Sequence, residues 1–240
     1  MTIPNRSMKA IEILEEARKL PMFTIGDLSR LLRKDEKYVR LVAYRLMKRG
    51  LIKQIEKGKY TVHNDAVQFA SLIAAPSYIS FWTALSMYHL TEQIPIDVMV
   101  AVSRPKKAID FYGHRITFTK ITQFWGYAKL RLRDFDVFIA EKEKAVIDCM
   151  LAKNVPFDEP AKAILSGEVD YEKLIEYAKK TKNAALAKRI GYLIEKKGGD
   201  ASSLLDMADR AYTPLNWSGK KEGKKDFRWK VTININLGEL

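Results

Sequence analysis

The residues best suited to bind a ligand form a cationic and aromatic series between positions 35 and 49. At about 100° per residue, an α-helix here places Val39, Val42, Ala43 and Leu46 on one side. The opposite side carries ammonium, guanidinium and phenol groups, which bind phosphates and the edges of bases. The pattern therefore predicts a helix with an apolar back and a nucleic-acid-binding front, formed by Lys37, Arg40, Leu41, Tyr44 and Lys48.

Signals for a helix-turn-helix surround this series. Asp35 is suited to cap the first turn of the helix, and Gly50 can take the left-handed conformation just after its end. A second short amphipathic helix is predicted over 24–32, with Thr24 as its cap and a polar turn of Arg33 and Lys34 after it. Two helices joined by a tight turn define a helix-turn-helix.

A β-hairpin is predicted directly after the second helix. Residues 51–62 alternate apolar and polar side chains around a tip of Glu56, Lys57 and Gly58. Three helices followed by a hairpin predict a winged helix-turn-helix that lays its last helix in a DNA major groove. The hairpin would be the wing.

This geometry assigns a role to each candidate residue. Side chains near the start of the recognition helix meet base edges, and the candidates are Lys37, Tyr38, Arg40 and Tyr44. Side chains further along hold phosphates, and the candidates are Arg45, Lys48 and Lys53. The wing reaches the minor groove or its backbone through Lys57 and Lys59.

The charge of the chain favours a polyanionic partner. The 240 residues carry a formal net charge of +13. Residues 1–62 hold 15 Lys and Arg against 7 Asp and Glu, so much of the excess positive charge lies in a quarter of the chain.

Cys149 is the only cysteine, which excludes an internal disulfide and favours a reducing cytoplasm. We expect no signal peptide and no membrane span.

Catalytic constellations are missing from the sequence. The three histidines, His63, His89 and His114, have no metal-ligand spacing, and no glycine-rich phosphate loop occurs. A nuclease-like pattern begins at Asp136, but the carboxylate and lysine two positions apart that it needs are not found after Glu141. We therefore predict a protein that is not an enzyme, with no catalytic residue, metal or cofactor.

The predicted fold class is α+β, with a winged helix-turn-helix followed by a mixed domain that holds a small sheet and a helical segment. The predicted domains are residues 1–64 and 65–240. A first helix should run from a cap at Ser7 to Leu20 and bury Ile11, Leu14 and Ala17. A linking helix is expected over 63–75.

The second domain is predicted from runs of β-branched residues and helical periodicity. Strands are expected over 94–103, from His114, over 135–140 and over 227–237, the last by strict alternation and docked into the same sheet. Helices are expected from Ser80, over 141–153, and in three or four short pieces over 160–211. A basic loop is expected over 218–226, and it is either solvated or adds a DNA or RNA contact through 220–225.

The chain resembles the AbiEi family of antitoxins from type IV toxin-antitoxin systems, from about Thr24 onward. The resemblance depends on the order and spacing of several short pieces. These are Gly50, Leu51 and Ile52 with Gly58, Lys59 and Tyr60; PSYISFWTALSMYHL at 76–90; AEKEKAVIDCML at 140–151; and YTPLNWSGKKEGKKDFRWKVTININL from Tyr212.

The resemblance implies a repressor that binds double-stranded promoter repeats and counteracts a nucleotidyltransferase-type toxin, AbiEii, without needing a stable complex. It carries over only the DNA-facing residues already named. Paired protomers would follow if the operator has two-fold repeats. The alternative is a stand-alone ligand-sensing winged-helix transcription factor, in which Phe81, Trp82 and Tyr88 would line a pocket.

Overall fold

The structure is a computed structural model that describes residues 6–239 as a mixed α+β protein, with 41% helix and 21% strand. Helices come first and sheets follow. The N-terminal elements are the helices α1 (Arg6–Arg18), α2 (Ile25–Leu32) and α3 (Glu36–Lys48) and the hairpin strands β1 (Lys53–Glu56) and β2 (Lys59–Thr61).

The predicted caps of α2 and α3 are present. The Thr24 hydroxyl accepts a hydrogen bond from the Asp27 amide at 3.2 Å, and the Asp27 carboxylate accepts one from the Thr24 amide at 2.8 Å. This reciprocal capping box fixes the start of α2. Asp35 accepts hydrogen bonds from the amides of Lys37 and Tyr38 at the start of α3, and Gly50 has the expected left-handed φ of 72°.

The first helix differs from the prediction. It already includes Arg6, so Ser7 is not its N-cap, and it ends at Arg18 instead of Leu20. Its buried side chains are Ile13 and Ala17, whereas Ile11 is 54% exposed. The prediction of Ile11 as core was wrong because several registers of the apolar residues fit a helix, and packing against α2 and α3 selects one of them.

The core of the N-terminal region, residues 6–62, lies between its helices and its hairpin. Phe23, Leu28, Val39 and Ile52 are almost completely buried in one cluster. Phe23 also exchanges backbone hydrogen bonds of 2.8 and 2.9 Å with Tyr60 of β2, so the segment before α2 adds a third extended piece beside the hairpin.

A six-stranded mixed sheet follows, larger than predicted. Its order is β5-β6-β4-β3-β8-β7, with β4 parallel to β6 and β3 parallel to β8. The predicted strands correspond to β4, β6 and β8, which confirms them, whereas β3, β5 and β7 were not predicted. The strands are β3 (Ser77–Ile79), β4 (Asp97–Val102), β5 (Ile109–Phe111), β6 (His114–Lys120), β7 (Tyr127–Leu132) and β8 (Phe135–Ala140).

The helices confirm most of the remaining predictions. The linking helix is shorter than expected, however, and spans only Val67–Ala70. The helices are α4 (Val67–Ala70), α5 (Phe81–Met87), α6 (Lys142–Ala152), α7 (Asp158–Ser166), α8 (Tyr171–Thr181) and α9 (Ala184–Lys196), with a short 3-10 helix (Ser202–Met207) after them.

The prediction that the C-terminal strand joins the larger sheet was wrong. The last strands form a separate sheet of order β10-β11-β9 and do not join the six-stranded sheet. Phe227 is 75% exposed, so the predicted alternation fails at its first residue, whereas Trp229 and Val231 on the same predicted face are buried. The strands are β9 (Thr213–Pro214), β10 (Lys224–Asp226), which falls inside the predicted loop, and β11 (Val231–Ile233).

Trp229 packs against α9 and holds the three-stranded sheet in place there. Its ring lies over Gly191, where a Cβ atom would overlap the indole. Its Nε1 donates a hydrogen bond of 2.8 Å to the Glu195 carboxylate. The sequence gives no local signal for this contact, because it joins positions 38 residues apart in the chain.

Candidate nucleic-acid interface

Helix α3 has one buried side and one exposed side. Val39, Ala43 and Leu46 are at most 4% exposed and pack into the N-terminal core. Burial of these three side chains holds the helix against α1 and α2 and fixes which of its residues face outward. The apolar back predicted from the spacing is therefore present.

The outward side displays the predicted cationic series. Lys37, Arg40, Arg45 and Lys48 are all exposed, and 51% of Tyr44 is exposed. The Lys48 ammonium lies 5.6 Å from the centre of the Tyr44 ring, within the range of a cation–π contact.

The charge of this surface is only weakly compensated. The Arg40 guanidinium lies 3.8 Å from the Glu36 carboxylate one turn earlier, and both side chains are more than half exposed. An exposed pair of this kind contributes little free energy, so a phosphate or a base edge can take its place.

Tyr38 differs from the other residues predicted to read bases. It is half-buried and packs against the N-terminal core. With Ile13 and Leu32 it lines a cavity of about 130 Å³ beside α1. The structure therefore places most of this side chain behind the exposed face.

The three hairpin lysines occupy different environments. Lys57 is exposed at the tip, beside Gly58 with its φ of 85°. Lys59 is held inside the molecule by an ion pair of 2.9 Å with Glu56 and by a hydrogen bond to the carbonyl of Ile73. Only the first of these two lysines extends outward from the tip.

Lys53 also has an intramolecular partner. Its ammonium lies 4.7 Å from the centre of the Tyr112 ring, at the turn between β5 and β6. The hairpin and the six-stranded sheet are further joined by Glu56, which forms an ion pair of 2.6 Å with Lys106. Burial raises the pKa of Glu56, but hydrogen bonds and charges of Lys106 and Lys59 outweigh it and lower the pKa overall.

Apolar packing also holds the hairpin against the six-stranded sheet. Ile55 of β1 is 5% exposed, and it lies in a core cluster with Val98, Val100 and Phe111 of the larger sheet. Sequence analysis did not predict these contacts, since alternation shows that one face of β1 is apolar but not what covers it.

The turn before α3 adds two cations that sequence analysis treated only as a polar connection. Arg33 and Lys34 are both exposed, and Arg33 has a left-handed φ of 51° that closes α2. The signal available in the sequence was their charge and their position directly before α3.

The three histidines lie at different elements of the fold. His63 lies 3.1 Å from the carbonyl of Leu20, whereas His89 follows α5 and His114 begins β6. Burial raises the pKa of the Cys149 thiol, which keeps it protonated and unreactive. Within residues 6–239, no group of three His, Cys, Asp or Glu side chains could hold a metal ion.

A fully buried ion pair lies on α6. The Lys144 ammonium donates to Asp148, whose other oxygen accepts hydrogen bonds from Tyr78 at 3.0 Å and Ser80 at 2.7 Å. Desolvation lowers the pKa of Lys144 and raises that of Asp148, and their mutual attraction opposes both shifts. Since these side chains are closed off from solvent, we interpret the network as structural.

The aromatic residues that would line a pocket in a ligand sensor lie on α5 and directly after it. Phe81 is completely buried, and the Tyr88 hydroxyl donates to the carbonyl of Ala140 at 2.9 Å. Trp82 is half-buried, and its Nε1 lies 3.4 Å from the Thr91 hydroxyl. These rings contribute mainly to the core beneath the sheet.

No model of a known protein family matches the chain, and no curated protein matches its sequence significantly. In the part of the chain that the structure describes, no helix has both the length and the apolar character needed to cross a membrane.

Proposed function

We propose that the protein is a sequence-specific, double-stranded DNA-binding repressor of transcription. The observation that carries this proposal is the two-sided character of α3, whose back is buried and whose front exposes Lys37, Arg40, Tyr44 and Lys48. A helix with this division can enter a major groove without disturbing its own core.

The order of the surrounding elements supports a winged helix-turn-helix. Helix α2, a turn of three residues and α3 are followed by a short hairpin, and the segment at Phe23 pairs with β2. In this arrangement α3 would be the recognition helix and the hairpin, with Lys57 at its tip, would be the wing.

The contacts divide by position along α3. Lys37, Arg40 and Tyr44 read base edges, while Arg45 and Lys48 hold phosphates. Lys57 supplies the wing contact, and contacts by Lys53 or Lys59 would first require release from Tyr112 or Glu56.

We further propose that the repressor is the antitoxin of a type IV toxin-antitoxin system and controls its own promoter. The resemblance to AbiEi antitoxins over some 200 residues supports this assignment. Its functional partner would be a nucleotidyltransferase-type toxin that it counteracts without a lasting complex. The second region, residues 65–239, would supply the antitoxic activity.

Titration of the full-length protein into fluorescein-labelled promoter DNA, followed by anisotropy, tests repressor function. We expect specific binding whose affinity falls steeply with salt, because released counterions drive the association. Equal affinity for promoter and scrambled duplexes would contradict the proposal.

Co-expression with a nucleotidyltransferase-type toxin of the AbiEii kind tests the antitoxin assignment separately. We expect the protein to restore growth of cells that are arrested by the enzyme. Continued arrest, with the protein shown to be present and folded, would contradict this assignment and leave DNA binding as a separate result.

A further inference from the structure

An apolar loop extends from the second region of the protein. It connects α5 to β4 and contains Ile94, Pro95 and Ile96. Ile94 is 87% exposed and Ile96 is 78% exposed, more than the other large hydrophobic residues found exposed in the described chain. Adjacent isoleucines in water are unfavourable unless a partner covers them.

A cavity of about 630 Å³ lies directly beside this loop. Its apolar lining comes from Leu90 at the base of the loop, Leu165 of α7 and Leu237 near the C-terminus. Its volume falls within the range of pockets that hold large apolar groups.

The wall of the cavity next to the loop is held in place by hydrogen bonds. The Thr91 hydroxyl donates to the carboxylate of Glu159, which is 3% exposed on α7, and it accepts from the amide of Gln93 at 3.2 Å. The start of the loop is therefore tied to α7 at Thr91, three residues before Ile94.

The cavity also carries opposite charges. Glu92 lies at its loop side and Lys162 at its α7 side, and Glu92 is exposed whereas Lys162 is half-buried. The loop and the cavity therefore combine two exposed isoleucines, three leucines set among polar side chains, an anion and a cation.

We propose that this surface is an isologous interface between two copies of the chain. A two-fold axis brings the protrusion of each copy to the cavity of the other, so that Ile94 and Ile96 cover Leu90, Leu165 and Leu237 of the opposite copy. The same operation sets Glu92 of one copy against Lys162 of the other. Each feature of the surface is thus matched by another feature of the same surface.

A second copy fits this surface better than an unrelated protein. A surface that is complementary to itself explains the protrusion, the cavity and both charges with one contact, made twice. The interface lies outside the N-terminal region, so it leaves the exposed face of α3 accessible. The proposal does not depend on DNA binding, and the two can fail separately.

Sedimentation equilibrium of the full chain tests the proposal. We expect a dimer for the wild type and a dissociation constant at least about a hundredfold weaker for Ile94→Asp and Ile96→Asp, because each puts two buried carboxylates into the interface. Phe227→Asp is the matched control, since Phe227 is 75% exposed elsewhere, and it should remain as dimeric as the wild type.

A charge exchange tests the orientation of the two copies. Glu92→Lys should weaken the dimer because it sets two cations against each other, and the double variant Glu92→Lys/Lys162→Glu should restore it. Both positions border open space, so the variants should fold, and circular dichroism checks this.

A monomeric wild type at about 100 μM, or an Ile94→Asp variant as dimeric as the wild type, would overturn the proposal. So would a monomer that is stabilised by a metabolite in a thermal-shift screen, with the stabilisation lost in Leu165→Trp, which would assign the cavity to a small ligand. Failure of the dimer with promoter binding intact would leave the repressor function standing.

Discussion

Glu56 of the hairpin and Lys106, in the segment between β4 and β5, form an ion pair of 2.6 Å that connects the hairpin to the second region of the chain. With Lys59 on the other carboxylate oxygen and Ile55 in the core of the sheet, this contact fixes the hairpin relative to the second region. The hairpin, which is the wing in the proposed function, is therefore packed against the second region.

The contact of Glu56 with Lys106 and Lys59 should stabilise the fold less in acid. The pKa of Glu56 is lowered in the folded protein, so its ion pairs contribute fully above the ordinary value of 4.5 and are lost as the pH falls through the lowered value. Replacement Glu56→Gln should cost about 1 kcal/mol of unfolding free energy at neutral pH. Urea titrations at neutral and acidic pH should show the cost shrinking in acid, whereas a cost independent of pH would contradict this reading.

The buried pair on α6 predicts a large effect of one substitution. Lys144→Met leaves the Asp148 charge buried without its cation and should cost about 3–5 kcal/mol of unfolding free energy. The double variant Lys144→Met/Asp148→Asn should recover part of this loss, since the amide oxygen can still accept from Tyr78 and Ser80. Chemical denaturation measures the unfolding free energy of both variants. An equal loss of stability in the single and the double variant would argue against a charged pair.

Replacing Gly191 with alanine should destabilise the protein, although the same change usually stabilises a helix. Glycine to alanine in a helix interior normally stabilises by about 1 kcal/mol. Gly191→Ala should instead destabilise by about 1–3 kcal/mol, because its Cβ overlaps the Trp229 ring. The thermal midpoint should fall, and Gly191→Ala/Trp229→Leu should lose less than the sum of its single changes; simple additivity would argue against a clash.

The base and phosphate contacts of α3 should respond differently to truncation. Arg40→Ala should weaken promoter binding by about 1–3 kcal/mol and relax sequence preference, whereas Lys48→Ala should weaken all duplexes alike and reduce the salt dependence. Anisotropy titrations at several salt concentrations distinguish the two effects. If Arg40→Ala lowers the affinity for promoter and scrambled DNA equally, Arg40 contacts a phosphate and not a base.

Local patterns predicted the elements whose environment is local. The back of α3 followed from Val39, Ala43 and Leu46, and its ends followed from Asp35 and Gly50, because caps and helical spacing act within a few residues. Strand β4 was predicted, but Ile94 and Ile96 were wrongly included with it. Apolar character alone does not show whether a residue is covered within its own chain.

Longer-range features left weaker signals. Lys144 and Asp148 are four residues apart on a helix, a spacing typical of an exposed ion pair, yet both are completely buried. Nothing in the local pattern around Lys59 indicates its hydrogen bond to the carbonyl of Ile73, which lies 14 residues later. Such contacts depend on which elements meet in three dimensions, and periodicity does not contain that information.

Promoter affinity of a charge-matched pair of triple variants tests the central claim most directly. Lys37→Ala/Arg40→Ala/Lys48→Ala removes three cations from the exposed face of α3, and Lys220→Ala/Lys221→Ala/Lys224→Ala removes three exposed cations elsewhere. We predict at least a roughly hundredfold loss of affinity for the first variant and at most about a threefold loss for the second. Equal losses in the two variants would contradict the assignment of α3 as the DNA-binding surface.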